Sequence, residues 1–283
     1  MRKLELLIAT MNQKDLKKYD EMNIRSDAIF LNQADKYDYI EKYIKNNKVK
    51  MITTKERGVG KNRNQALLVS TAEICLLSDD DMIYNDNYKE IVCEAFEKIP
   101  KADIIIFNIE TIGKKVKRKK NYKIKRVNIL NFQNYGAVRI AFRREEIIKK
   151  NLWFSILFGG GTKYSSGEDT LFLRDALRKK VKIYTYPKTI GTVKQETSTW
   201  FTGYNEKFFF DKGALLSNTF PRLKYLLAIF YFPWRFKKNT TLTINKTISL
   251  MLIGIKAYSR GYSYEEWIAK NKGAIKIEKR KNK

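Results

Sequence analysis

Three consecutive carboxylates, Asp79-Asp80-Asp81, close the apolar run Ile74–Leu77 and form the sharpest chemical feature of this 283-residue chain. Adjacent carboxylates repel one another, so a fold that gathers them commonly supplies a cation. On an extended backbone residues i and i+2 point to the same side, which would aim Asp79 and Asp81 at one ligand. A solvated turn followed by an acid-capped helix explains the triplet about as well. A second acidic pair, Glu168-Asp169, follows Gly167 and opens a helical pattern. It reads either as first-turn capping or as a carboxylate base at the mouth of a crevice. Between them, Arg57-Gly58-Val59-Gly60-Lys61-Asn62-Arg63-Asn64 precedes another helix. Glycines permit close backbone approach there, and a helix N-terminus favours anions. The segment lacks both the Walker A lysine pattern and the third glycine of the dinucleotide fingerprint, so by itself it reads as an ordinary turn.

What is missing narrows the chemistry. The chain has no histidine, which excludes Ser-His-Asp and Cys-His catalysis, imidazole zinc sites and a His general base. Two cysteines, Cys75 and Cys93, make neither a four-thiolate site nor a disulfide framework, and they suit a reducing compartment. Proton transfer falls to carboxylates, Tyr or Lys. A metal, if used, is a hard cation such as Mg²⁺ or Mn²⁺ held by oxygen.

The elements that would position these groups read as alternating strand and helix. Strands are expected at Leu4–Ala9, Ala28–Leu31, Lys50–Thr53, Ile74–Leu77, Asp103–Ile109, Ala137–Phe142 and Val181–Tyr186, the last stopping before Pro187. Helical spacing marks Asn62–Ser70, Tyr88–Lys98 and Asp169–Lys180, with Trp153–Gly167 a glycine-bearing loop. Continuous apolar strands alternating with helices predict an α/β fold with a mostly parallel sheet flanked by helices. Ligands of such sheets sit beyond the carboxyl ends of the strands. The Asp triplet, Thr10-Met11-Asn12 and Asn32-Gln33 all fall at such ends, so three polar clusters would converge on one crevice.

The order ATMN, GVGKNRNQAL, ICLLSDDDM, GEDTLFLRDAL and KQETSTWFTGYNEKFF resembles the family 2 glycosyltransferases of the GT-A (Rossmann-like) fold. Within them it is similar to bacterial enzymes that build capsular or other surface polysaccharides, over roughly residues 4–215. The resemblance implies a metal-dependent inverting transfer from a nucleotide-sugar, with UDP the expected nucleotide and Mn²⁺ or Mg²⁺ the cofactor. Asp79 and Asp81 match the DxD-type motif: Asp81 would bind the metal, and Asp79 the ribose or the metal shell, with Asp80 beside them on the donor side. Arg63 matches the basic residue near the diphosphate, and Thr10 a nucleoside contact. Asp169 matches the catalytic base and Glu168 its acceptor-binding neighbour. Two departures stand out. The aspartate pair that reads the base in many relatives is replaced here by Leu31-Asn32-Gln33-Ala34-Asp35, leaving Asn32 or Asp35 for that role. A histidine that some relatives carry near Lys194-Gln195-Glu196 is absent, leaving Lys194 or Glu196 in its place. Thr197–Trp200 is expected as a cover by analogy.

The implied layout is a catalytic domain over 1–200, its nucleotide-sugar half about 1–110 and its acceptor half about 111–200. A helical, aromatic and basic extension would follow over 201–283. The formal charge is +27, and residues Gly113–Arg126 are a basic run read as an exposed excursion. Three readings of this charge compete: attraction to an anionic membrane carrying a polyprenyl-diphosphate-linked acceptor, nucleic-acid binding, and a lysine-rich solvated surface. The membrane reading is modestly favoured, through the aromatic stretch Tyr225–Trp234 flanked by Arg222, Lys224, Arg235, Lys237 and Lys238. A basic nucleic-acid-binding protein or a metal-dependent nucleotidyltransferase is the rival class. The first explains the charge but not the acidic triplet, and the second lacks a further separated carboxylate pair. No apolar run reaches the ~20 residues that a spanning helix needs. The expectation is therefore a cytoplasmic protein, peripheral on the inner face of the cell membrane, acting on a glycan or lipid-linked acceptor and not on nucleic acid.

Overall fold

The computed structural model describes residues 3–112, 120–194 and 203–271. Part of the basic excursion, Glu196, the Thr197–Trp200 cover and the tail from Lys276, expected to be frayed, lie outside these residues. The chain forms two compact units. One comprises Met1–Ile156 with Glu168–Ser198, the other Leu157–Gly167 with Thr199–Lys283.

The elements of the first unit are β1 (Leu4–Met11), α1 (Lys18–Glu21), β2 (Asp27–Gln33), β3 (Asp38–Ile44), β4 (Asn47–Thr54), α2 (Val59–Val69), β5 (Ile74–Asp79) and β6 (Met82–Tyr84). There follow α3 (Tyr88–Lys98), β7 (Ile104–Ile112), β8 (Lys125–Arg126), β9 (Ile140–Arg143), α4 (Arg144–Lys149), α5 (Glu168–Arg178) and β10 (Ile183–Lys194). They build one sheet in the order β3-β4-β2-β1-β5-β9-β7-β10-β6, with β8 paired to β10. The expected parallel arrangement runs through β4, β2, β1 and β5 and recurs between β7 and β10. Between these runs β9 lies antiparallel to both β5 and β7, and β3 folds back on β4. The apolar strands are apolar because they are covered: Leu6, Ile8, Ile29, Leu76, Leu77, Ile105 and Ile106 are all buried.

Three expectations from the sequence change at this point. Strand β3 is absent from the sequence expectation, because most of its residues are exposed and only Ile40 and Ile44 pack on the core, leaving no continuous apolar run. The last strand does not stop before Pro187 but continues to Lys194. Its pairing with β7 shifts register between Thr185 and Thr189, so the proline sits where the ladder is already irregular. Ala137–Arg139 forms a 3₁₀ turn, and only Ile140–Arg143 is strand. Cys75 and Cys93 are both buried and free.

The second unit contains α6 (Glu206–Thr219), α7 (Lys224–Phe230), α8 (Phe232–Phe236) and α9 (Ile244–Ser259). Asn205 caps α6 by accepting the Phe208 amide at 3.0 Å, and Thr243 caps α9 by accepting that of Lys246 at 3.3 Å. Glycines let α6 and α9 touch backbone to backbone. A Cβ on Gly213 would stand 2.1 Å from the Met251 carbonyl oxygen, and one on Gly254 2.0 Å from that of Phe210. Phe209, Leu216, Ala228, Phe232, Leu250, Met251 and Ile255 form the core. Among the described residues, no helix is long and apolar enough to cross a membrane.

Candidate functional site

The strands β1 and β5 are parallel neighbours, with Ala9 opposite Asp79, so their carboxyl ends arrive together. Just past that pair, the buried Thr10 donates its hydroxyl to Asp80 at 2.5 Å. The sequence reading placed Asp79 and Asp81 on one extended backbone. The structure instead ends β5 at Asp79 and turns at Asp80-Asp81, because Met82 must begin the short strand that pairs with β10. The turn is pinned by the Lys194 amide, which donates to the Asp81 carbonyl at 3.0 Å. The side chain of Asp81 is exposed. Lys194 thus meets the aspartate turn through its backbone.

Helix α2 supplies the cation. Its N-cap Gly58 has φ 112°, a conformation that side-chain-bearing residues rarely adopt. The Gly58 amide donates to the Gln33 side chain at 2.8 Å, which ties this turn to the end of β2. One turn on, Arg63 is only 3% exposed. It donates to Asp79 at 2.9 Å and to Glu168 at 2.8 Å, joining the end of β5 to the start of α5. Burial works against the guanidinium charge, but the carboxylates of Asp79, Glu168 and Asp169 outweigh it and keep the pKa raised.

The segment before α5 is held to the same helix. The Asn64 side chain donates to the Phe154 carbonyl at 2.9 Å and accepts the Phe154 amide at 2.8 Å. Phe154 stacks on Phe172 of α5 with centroids 4.1 Å apart, and the Arg63 guanidinium lies over its ring. Gly60 is the close approach: a Cβ there would meet the Ser155 carbonyl oxygen at 2.0 Å.

At the start of α5, Glu168 is pushed up to about 7, first by burial and then by the neighbouring charge of Asp169, against the pull of Arg63. Asp169 is half-buried and accepts the Thr170 amide at 2.6 Å. Thr10, Asp79, Asp80, Arg63, Glu168 and Asp169 therefore occupy one cluster at the carboxyl edge of the sheet. Of the other three candidates, Asp81 is exposed at the adjoining turn, Asn32 lies opposite Thr10 on the neighbouring strand β2, and Asp35 lies just beyond that strand. Asn32 is buried and fully engaged: it accepts the Gln13 amide and donates to the Gln13 carbonyl, both at 2.9 Å, and to Thr53 at 3.1 Å. Asp35 is 97% exposed and pairs with Arg57. Asn32 thus acts as a brace within the fold, and Asp35 is open to solvent on the loop after β2.

Gln33, Asn64 and Phe154 organise the site without having been singled out as candidates. Gln33 and Asn64 lie within segments noted in the sequence, the polar end of β2 and the glycine turn before α2, whereas Phe154 carries no readable signal. Among the described residues, no three Cys, Asp or Glu side chains gather closely enough to enclose a metal ion. The carboxylates at the end of β5 remain hard oxygen donors. They suit an ion such as Mg²⁺, which typically takes one or two protein carboxylates and completes its shell with substrate phosphates and water.

The family model for glycosyl transferase family 2 matches residues 31–179, just over half of the chain. The fold is similar to that of Staphylococcus aureus TarS 1–349 in complex with UDP-GlcNAc, at 13% identity, 93% of each chain covered and a TM-score of 0.62. TarS 1–349 in complex with UDP aligns at 14% identity over 94% of this chain and 77% of that one, with a TM-score of 0.57. In the longer TarS structure the match spans 94% of this chain but 45% of that one, at 14% identity and a TM-score of 0.56. No curated protein matches the sequence.

Proposed function

This chain belongs to glycosyl transferase family 2, and on that premise we propose an inverting, metal-assisted transfer of a sugar from a UDP-sugar to an acceptor hydroxyl. The acceptor would be a growing surface polysaccharide or its lipid-linked precursor. That the chain is a glycosyltransferase follows from the family. The donor nucleotide, the metal and the stereochemistry are the proposal. The observation that carries it is the bridge through Arg63, which brings a donor-side aspartate from β5 and an acid pair from α5 into one cluster. The likeness to structures holding UDP-GlcNAc and UDP supports the donor class.

In this reading Asp169 accepts the proton of the acceptor hydroxyl. The freed oxygen attacks the anomeric carbon, a new glycosidic bond forms, and the bond to the diphosphate breaks with its electron pair leaving on phosphate oxygen. Positioning both substrates and supplying the base are the two contributions that this chain's side chains make. Arg63 works through its partners: it fixes Asp79 and Glu168, and its charge limits the repulsion among the three carboxylates around it. Glu168 flanks the acceptor and Thr10 holds Asp80 on the donor side. Asp81, with Asp79, would hold Mg²⁺ or Mn²⁺. When bound, the ion supplies charge stabilisation for the departing diphosphate.

The test is a panel of UDP-, dTDP- and GDP-sugars incubated with the protein in Mg²⁺, Mn²⁺ or EDTA, with release of nucleoside diphosphate as readout. Release from one UDP-sugar that EDTA suppresses is expected. Turnover indifferent to chelator would remove the metal from the scheme, and turnover only with other nucleotides would remove UDP.

A further inference from the structure

The helical unit carries an exposed apolar surface to which the proposed transfer assigns no role. In α7, α8 and the residues that flank them, Leu223, Tyr225, Leu226, Phe230, Tyr231 and Trp234 are all exposed, Phe230 to 68% and Trp234 to 58%. These helices already spend other residues on the core: Ala228 and Phe232 are buried against α6 and α9. Leu223, Leu226 and Phe230 recur at i, i+3 and i+7, so they form one stripe on the outer face of α7. An apolar stripe in water is unfavourable unless something covers it.

Charge selects the occupant. Arg222, Lys224, Arg235, Lys237 and Lys238 flank the stripe, and from Lys212 to Tyr264 the sequence contains no Asp or Glu. The cations sit against the rings: Lys224 lies 5.2 Å from the Tyr225 centroid and Lys237 5.6 Å from that of Trp234. A second copy of this chain would bring the same cations to the contact and be repelled by them. An anionic bilayer offers both requirements at once, hydrocarbon for the aromatic face and phosphate for the rim. Tyr and Trp favour the headgroup level of a bilayer.

We propose that the α7–α8 surface docks flat on the headgroup region of an anionic phospholipid bilayer, without crossing it. Phe230 and Trp234 enter the acyl boundary, and Arg235, Lys237 and Lys238 contact lipid phosphates. This places the helical unit at the surface where a lipid-linked acceptor resides, although the docking itself does not depend on the donor assignment.

Flotation of the full chain with vesicles tests it. Binding to vesicles half phosphatidylglycerol and half phosphatidylcholine at low salt, and not to pure phosphatidylcholine, is expected. Each basic residue near the surface is worth about fivefold in partitioning, so joint Arg235→Gln, Lys237→Gln and Lys238→Gln should weaken it by on the order of 100-fold. Phe230→Ser with Trp234→Ser should weaken it with all charges kept. These side chains are exposed, so circular dichroism and UDP-induced thermal shift should stay unchanged, which separates lost docking from lost fold or lost donor binding. Lipids brominated on the acyl chain should quench tryptophan emission, and Trp234→Phe should remove that quenching. The proposal is overturned by absent flotation at low salt, or by flotation insensitive to these substitutions. It is equally overturned by a dimer that Trp234→Ser dissolves, or by oligonucleotide binding through the same residues without binding to vesicles.

Discussion

At the scale of single residues, the site is a problem of one guanidinium among three carboxylates. Asp169→Asn removes the proton acceptor while keeping the side chain's size and its contact to Thr170. Transfer should fall by ~10²–10⁴-fold with the dissociation constant for UDP unchanged, measured by initial rates and titration calorimetry. A variant that retained near wild-type turnover would move the base elsewhere. Glu168 makes a different prediction. Its carboxyl is raised from the ordinary 4.5 to about 7, so the folded state favours the protonated form. The stabilisation from that preference is complete below pH about 4.5 and is lost as pH rises to about 7. Glu168→Gln is neutral at every pH. Wild type should therefore lose melting temperature relative to the variant across that window, and the difference should level off above it. A gap that stayed constant from pH 5 to 8 would refute the assignment. The acid identities could be read from the sequence, because Asp79-Asp80-Asp81 and Glu168-Asp169 are local clusters. Arg63 could be named through the family resemblance, but not its pairing with both acids: it is 105 positions from Glu168, and no spacing rule links the two.

At the scale of elements, legibility followed apolar continuity. Helices α3 and α5 each bury an apolar face, and strands β1, β2, β5 and β7 are largely continuous apolar runs; α2 could be read too, although it buries Asn62 and Arg63 and leaves Leu68 exposed. Strand β3 is solvated on most of its length and escaped the pattern, and β10 carries a proline inside it, so its continuation past Tyr186 escaped too. Loop geometry escaped as well. The reciprocal bonds between Asn64 and Phe154 are a tertiary choice, and a sequence shows only an asparagine in a helix and a phenylalanine in a loop. Glycine contacts give a sharp test at this scale. Gly254→Ala sets a methyl group against the Phe210 carbonyl and must push α9 away from α6. Overpacking of this kind costs roughly 1–3 kcal/mol, so the melting temperature should drop by several degrees. Should Gly254→Ala melt like wild type, the close crossing of α6 and α9 is wrong.

At the scale of the whole molecule, function couples to stability through the donor. A ligand that binds only the folded state stabilises it, by about 2.7 kcal/mol at one hundred times its dissociation constant. UDP with Mn²⁺ should raise the melting temperature, UDP with EDTA should raise it less, and Asp81→Asn should narrow the gap between the two. Equal shifts with and without metal would leave Asp81 without its proposed role. The α/β class could be read early, because strand and helix alternate along most of the first 190 residues. The composition of the two units could not. Leu157–Gly167 belongs with the helices that follow much later in the chain, and its buried tie to them, Ser165 to Asp211, joins residues 46 positions apart.

The position of β10 has a consequence for biosynthesis. It lies between β7 and β6 in the sheet and also pairs with β8, yet it is the final strand of its unit to be made. A nascent chain emerging from the ribosome can assemble β1, β2, β4 and β5 early, but β7 waits with one edge bare until residue 194 has cleared the exit tunnel. The stretch recognised as family 2 ends at residue 179, before that strand begins. Release of the chain at that length should yield an aggregation-prone product that chaperones retain, whereas release after residue 194 supplies the missing edge partner. Arrest-peptide force profiling, which reads the pull of folding on a stalled chain, should show its main peak only after β10 has emerged.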